Sequence, residues 1–372
     1  MAPLSRKVLT AGQNALHRLQ TPSQISPSDF FDDANEVRKM FAQLINEPNS
    51  NRVALIPSVS YGMSVVAHNT SLRPSQNVVV VSEQFPSNVY TWKRLCHRTE
   101  AELRTVTPPN DATDRSAAWN ASIIDAIDEQ TGLVAIPELH WTDGTRFNVE
   151  EIGTRARECG ATFVIDGTQS VGASPFDIQR VRPDALVCAG YKWLTGPYAL
   201  GVAYYGTAFD KGIPLEENWI TRQDSENFSG LIEYRDEYQP NAIRYDVGER
   251  SNFVLLPMFK AALTQVMKWS PAGIQDYCRT LTQKALLEFG ELGCRIQPAA
   301  SRCHHLFGIH MPSEIDLADL SAKLAEQNVS VSLRGSAIRV APYLYNRPED
   351  LDALVTAIRN VLSRSKNGLS LT

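Results

Sequence analysis

A large α/β domain on a mostly parallel, seven-stranded sheet, followed by a smaller α+β domain, is the fold this sequence predicts. Two observations carry the expectation. Through the first half of the chain, short apolar, β-branched runs alternate with longer segments whose apolar residues recur at helical spacing. That is the pattern of strands buried on both faces between covering helices. After about residue 206 the rhythm stops, and from about 275 a shorter helix and strand alternation replaces it. With 372 residues, 43% of them hydrophobic, the chain can bury one large core and one small one.

The strands are read in order at "VALIP" (53–57), "NVVVVS" (77–82), "AELRTV" (101–106), "GLVAIP" (132–137), "ATFVID" (161–166), "DALVCA" (184–189) and "GVAYY" (201–205). Helical spacing marks "YTWKRLCHR" and "VEEIGTRAREC" between them. The segment from about 206 to 255 is polar and aromatic-rich. It is long for a connector in a compact domain, which points to a functional or interfacial role. A helix is expected from about Leu256 to Trp269. Beyond it, "QDYCRTLTQKALLEFGELG", "HHLFGIHMP", "DLADLSAKLAEQ", "VSVSLRG", "AIRVAPYLY" and "PEDLDALVTAIRNVLSRS" give helices and strands of a small α+β domain. The expected division is 20–256 for the large domain, with 1–19 joining 257–372 in the small one.

A net charge of −5, with acids and bases mixed along the chain, argues against nucleic acid and against a polybasic membrane patch. No apolar run reaches the length of a membrane span. Arg6 and Lys7 are not followed by the apolar stretch of a secretory signal. The six cysteines, scattered without a CxxC pair, read as reduced thiols of a cytoplasmic protein. Cys303, His304 and His305 lie in a strand-like run with no second pair at zinc spacing, so packing is expected there and no metal.

The chemistry gathers at strand ends, where doubly wound sheets place their sites. Asp166 closes "FVID", a position where a carboxylate needs a cation or donor. Lys192 stands in "AGYKWLTG", just past the run "PDALVCA". One reading is an ion pair closing the sheet edge. The other is an acid holding a protonated heterocyclic nitrogen beside a lysine that forms a Schiff base, a role that burial promotes by lowering the amine pKa. In "IPSVSYGMS" a strand turns into a helix, and the amides there with the Ser60 hydroxyl suit a phosphate or simply cap the helix. Phe85 follows the next strand and either stacks on a flat ring or joins the core. Arg339, inside the apolar strand "AIRVAPYLY", needs a carboxylate, internal or from an amino-acid substrate. Trp193 reads as packing, and Gly190 as tight backbone passage.

Together these residues resemble the class V aminotransferases, pyridoxal-phosphate enzymes of fold type I that include cysteine desulfurases, isopenicillin N epimerase-like proteins and kynureninases. The resemblance covers nearly the whole chain. It implies pyridoxal 5'-phosphate as cofactor, with Lys192 as its covalent lysine and proton shuttle, and Asp166 on the pyridinium nitrogen. It further implies Gln169 on the ring hydroxyl and Phe85 stacked on the ring. The phosphate falls to Val59, Ser60 and Tyr191, and the substrate carboxylate to Arg339. Trp219 and the pair Ser251–Asn252 look like kynureninase features that reach the phosphate region, the latter from a neighbouring subunit, which implies a homodimer with its site at the interface. Gln169 departs from that subgroup, which has His there, and "ELHWTDGT" looks more like the epimerase-like members. Desulfurases carry a cysteine shortly before the late arginine, and "VSVSLRGSAIRV" has none. The opening "MAPLSRKVL" lacks the strand with which family members commonly begin, so the expectation is either a start codon downstream of the true one or a missing pocket wall.

The resulting expectation is an enzyme acting on an amino acid, of aminotransferase or C–S lyase type first and kynureninase-like hydrolase second. A degenerate, non-catalytic family member is the non-enzymatic alternative. A nicotinamide oxidoreductase is disfavoured because no strand leads into G-x-G-x-x-G.

Overall fold

The computed structural model describes residues 1–109, 114–312, 315–334 and 337–368, with side chains as far as Ser363. Its strands are β1 (Val53–Ile56), β2 (Asn77–Val81), β3 (Glu102–Val106), β4 (Thr131–Pro137), β5 (Thr162–Asp166), β6 (Ala185–Ala189), β7 (Gly201–Tyr205), β8 (Phe307–His310), β9 (Ser332–Arg334) and β10 (Ala337–Val340). Its helices are α1 (Arg6–Leu19), α2 (Asp32–Leu44), α3 (Val59–His68), α4 (Tyr90–Thr99), α5 (Arg115–Ala126), α6 (Val149–Glu158), α7 (Ile178–Val181), α8 (Leu255–Trp269), α9 (Pro271–Glu291), α10 (Leu317–Glu326) and α11 (Pro348–Gly368). The chain divides into two compact units. The first is Met1–Thr107, Ala121–Glu138 and Asn148–Pro271; the second is Pro108–Asn120, Leu139–Phe147 and Ala272–Thr372.

The first unit holds a seven-stranded sheet in the order β1-β7-β6-β5-β4-β2-β3. β2, β3, β4, β5 and β6 pair in parallel, and β7 runs antiparallel between β1 and β6. Every residue of β1, β2, β4 and β6 is buried. This explains the unbroken apolar runs, since a strand covered on both faces has no polar side to alternate with. Because β1 and the parallel strands point one way, their carboxyl ends share one edge of the sheet.

Residues 1–19 belong to the first unit, which corrects their expected place in the small one. α1 packs on α8, Gly12 leaves no room beyond the Met258 side chain, and the Ser5 hydroxyl bonds the Gln265 side chain. The partner helix lies far away in sequence, so local pattern could not reveal it. The long segment before α8 holds short 3-10 turns at Thr207–Phe209, Trp219–Thr221, Phe228–Gly230 and Asn241–Tyr245 and a bridge between Arg222 and Tyr238. It is anchored by Asp246, which receives Arg38 and Arg250 in a buried ion pair on each side and accepts the Leu55 amide at 2.8 Å.

The second unit carries the antiparallel sheet β8-β10-β9. Its core joins Leu281 and Phe289 of α9, Phe307 and Ile309 of β8, Leu320 of α10, Ile338 of β10 and Leu354 and Ile358 of α11. Before β8, the Gln275 side chain accepts the His304 amide at 2.9 Å and lies 2.7 Å from the His305 ring nitrogen. All six cysteines are free thiols. Among the described residues no helix is long and apolar enough to cross a membrane.

Candidate active site

Asp166 ends β5 at the carboxyl edge, in register with Val187 of β6. Its carboxylate accepts the Thr168 amide at 3.0 Å, and the Thr168 hydroxyl accepts the Ala189 amide at 3.2 Å. One Asx turn thus ties the end of β5 to the end of β6. Burial pushes the Asp166 carboxyl above its ordinary range, and the Thr168 bonds and the Lys192 charge pull against that shift. Thr168 was not singled out in the sequence. The signal was the Asp-x-Thr spacing at a strand end, a common Asx-turn arrangement.

The lysine loop leaves β6 through a narrow passage. The Gly190 amide donates to the Leu200 carbonyl at 3.0 Å, and the Gly196 amide donates to the Gly190 carbonyl at 2.8 Å. A Cβ on Gly190 would strike the Leu200 carbonyl, and one on Gly196 would strike the Phe259 ring. Within this loop the Lys192 carbonyl accepts the Thr195 amide at 3.0 Å. Its Nζ lies 5.7 Å from the centroid of the Phe85 ring, and Phe85 follows β2 at the same edge. The Tyr191 ring stands 4.6 Å from Tyr198. Trp193, read from sequence as packing, donates its indole N–H to the Gln169 side chain at 3.3 Å. Gln169 is therefore oriented by the loop that carries the lysine.

The third element of the edge is the start of α3. Ser58, not Ser60, caps it: the Ser58 hydroxyl accepts the Tyr61 amide at 3.1 Å and lies 2.9 Å from the Ser60 hydroxyl. The amides of Val59 and Ser60 have no acceptor among the described residues. Such open first-turn amides at the positive end of a helix favour an anion. α3 is seated close to the sheet because Gly62 meets Val187 and Ile56 where a side chain would not fit.

Asp166, Gln169, Tyr191, Lys192, Phe85, Val59 and Ser60 thus lie along or just beyond one strand edge. Trp219 and Asn252 are engaged elsewhere in the same chain. Trp219 packs edge-on against Phe30, Phe31 and Phe228, with ring centroids 6.0, 6.3 and 5.5 Å away, and remains 40% exposed. The Asn252 side chain accepts the amides of Val254 and Leu255, at 3.1 and 2.8 Å, and so starts α8. Ser251 donates to the Phe30 carbonyl at 2.5 Å.

Arg339 sits in β10 of the second unit, opposite Gly308 and Ser332. Its Nη1 donates to the Trp141 carbonyl at 2.9 Å. No carboxylate among the described residues pairs with it. Burial and then the nearby Arg334 charge lower its pKa.

A mostly parallel seven-stranded sheet of this kind is the α/β fold of the solved cysteine desulfurases, a class of pyridoxal-phosphate fold. Within that class, the model described as "Aminotransferase class-V" matches residues 4–354, and the chain belongs to that family of enzymes. An uncharacterized protein of Schizosaccharomyces pombe is 23% identical over 371 residues, covering 97% of this chain and 82% of that protein. A cysteine desulfurase of Shigella sonnei is 30% identical over 181 residues, covering 48% of this chain and 43% of that protein. The chain thus aligns with less than half of that desulfurase's length. The apo structure of a cysteine desulfurase from Thermococcus onnurineus NA1 shares the fold, with a TM-score of 0.81 at 18% identity, covering 97% of this chain and 92% of that one.

Proposed function

We propose that this chain binds pyridoxal phosphate at Lys192 and acts on an amino acid by aminotransferase or C–S lyase-type chemistry. The observation that carries the reading is a buried carboxylate, Asp166, held by Thr168 and facing the charge of Lys192, whose Nζ lies 5.7 Å from the centroid of the Phe85 ring. The residues fit the cofactor. A buried acid pushed toward its neutral form is the partner that a pyridinium nitrogen would restore to a charge. The open Val59 and Ser60 amides suit its phosphate. The Gln84 carboxamide nitrogen beside Phe85 and the Thr195 hydroxyl in the lysine loop are buried without a partner among the described residues, so the edge has polar capacity to spare.

When bound, pyridoxal phosphate supplies an aldehyde for the lysine amine and a ring that withdraws electrons from the substrate's Cα. The chain's own residues do the rest. Asp166 holds positive charge at the ring nitrogen. Gln169, held by Trp193, hydrogen-bonds the ring hydroxyl, and Phe85 covers a ring face. The Val59 and Ser60 amides, the Ser60 hydroxyl and the Tyr191 hydroxyl hold the phosphate. The Lys192 amine takes and returns the proton at Cα, and Arg339 takes the substrate carboxylate in bidentate fashion. Trp219 and Asn252 are assigned to the cofactor region of a cytoplasmic homodimer. No cysteine lies between Cys303 and Arg339, so the reading invokes no sulfur carried on the protein there.

Incubation of purified protein with pyridoxal phosphate, followed by desalting and an amino-acid screen, tests this. A visible band that shifts with an amino acid is expected, with pyruvate, alanine or sulfide among the products. Anthranilate from kynurenine would favour the hydrolase instead. Protein that takes up no cofactor would defeat the proposal.

A further inference from the structure

Arg334 and Arg339 are two half-buried cations that both meet Trp141 and have no acid among the described residues. Arg339 meets Trp141 through its carbonyl at 2.9 Å, and the Arg334 guanidinium lies 5.5 Å from the centroid of the Trp141 ring. Several guanidiniums have an acid, with the buried Arg38 and Arg250 sharing Asp246, Arg52 on Asp210 and Arg104 on Asp128, whereas the buried Arg302 is held by the Gln297 and Cys303 carbonyls. Arg334 and Arg339 have no such partner among the described residues, and burial, followed by the Arg334 charge, lowers the Arg339 pKa.

The donors left open are informative. Arg334 uses Nη1 on its neighbour's carbonyl, Leu333, at 2.7 Å, and its Nε is buried without a partner among the described residues. Arg339 likewise uses Nη1 on a backbone carbonyl. A guanidinium edge of this kind matches the two oxygens of one carboxylate. One carboxylate fills one fork, so two open forks ask for two.

We propose that Arg334 and Arg339 form a two-point anion site, and that the amino-acid substrate carries a second acidic group, which Arg334 takes while Arg339 takes the α-carboxylate. Arg334 is then the residue that selects acidic over neutral side chains. The inference rests on the assignment of Arg339 made above, and goes beyond it to the class of substrate.

Holoenzyme is titrated with aspartate, glutamate and 2-aminoadipate and with asparagine, glutamine and alanine, following the cofactor band. Glutarate, succinate and butyrate are titrated in parallel by calorimetry, which needs no turnover. At least one acidic amino acid is expected to bind about tenfold or more tighter than its amide. Arg334→Gln should remove that preference by weakening the acid, Arg334→Lys should restore part of it, and Arg339→Gln should weaken acid and amide alike. Glutarate or succinate should bind better than butyrate, and Arg334→Gln should abolish the difference. A band that shifts with amino acids but shows no acid preference, or a preference unchanged in Arg334→Gln, overturns the inference and leaves the proposed function standing. Dicarboxylate binding that depends on Arg334, with no amino acid moving the band, overturns the proposed function and leaves the anion site.

Discussion

The Lys192 Nζ stands 5.7 Å from the centre of the Phe85 ring, although strands β2 and β6, which deliver the two residues, are not neighbours in the sheet. They meet because parallel strands end on one edge. An aromatic ring there presents its negative face to the amine and a flat apolar surface to a planar cofactor. Phe85→Ala is expected to weaken cofactor retention about tenfold, and Phe85→Tyr to preserve it, measured as pyridoxal phosphate remaining after dialysis. Equal retention in Phe85→Ala would mean that the ring only packs against protein.

Asp166 predicts a separation between stability and binding. Its folded carboxyl is raised, chiefly by burial. In the cofactor-free protein its ionised form therefore costs stability, a cost absent in acid and growing as pH rises through and above the ordinary carboxylate range. Cofactor-free Asp166→Asn should melt at or above the wild-type temperature near neutral pH, with the gap closing toward acid. The same variant should bind pyridoxal phosphate about tenfold or more weakly. A cofactor-free variant that melts well below wild type would show that the carboxylate is structural.

Asp246 predicts the reverse, a purely structural loss. It serves the buried Arg38 and Arg250 and the Leu55 amide together. Asp246→Asn leaves two buried guanidiniums without a counter-charge, and should cost about 3–5 kcal/mol in denaturant unfolding of the cofactor-free protein. Burial already lowers the Arg250 pKa to about 10. A loss under about 1 kcal/mol would contradict the role given to this pair.

Gly190→Ala tests the narrow passage into the lysine loop. The added methyl meets the Leu200 carbonyl, which is backbone and cannot rotate away. A cost of about 1–3 kcal/mol is expected, together with reduced cofactor uptake, because Tyr191 and Lys192 follow directly. Unchanged melting and uptake would show that the loop has slack.

The seven sheet strands were legible because burial on both faces writes an unbroken apolar run, as in "NVVVV" of β2. Asp166 and Lys192 were legible for the opposite reason, since each is a polar residue where such a run stops. Long-range docking left no local mark, so α1 was placed with the wrong unit although it packs on α8. The Trp193 bond to Gln169 was equally silent, because an indole N–H has the same sequence signature whether it packs or donates. The place of Trp219 among Phe30, Phe31 and Phe228 depended on irregular backbone, where neither helical nor strand periodicity operates.

Borohydride trapping tests the central claim most directly. Holoenzyme is reduced, digested and mapped by mass spectrometry. The account expects one pyridoxyl-modified peptide, containing Lys192, and expects Lys192→Ala to lose both the label and the visible band while keeping its fold by circular dichroism. A label on another lysine, or a Lys192→Ala protein that is still labelled and coloured, would contradict it.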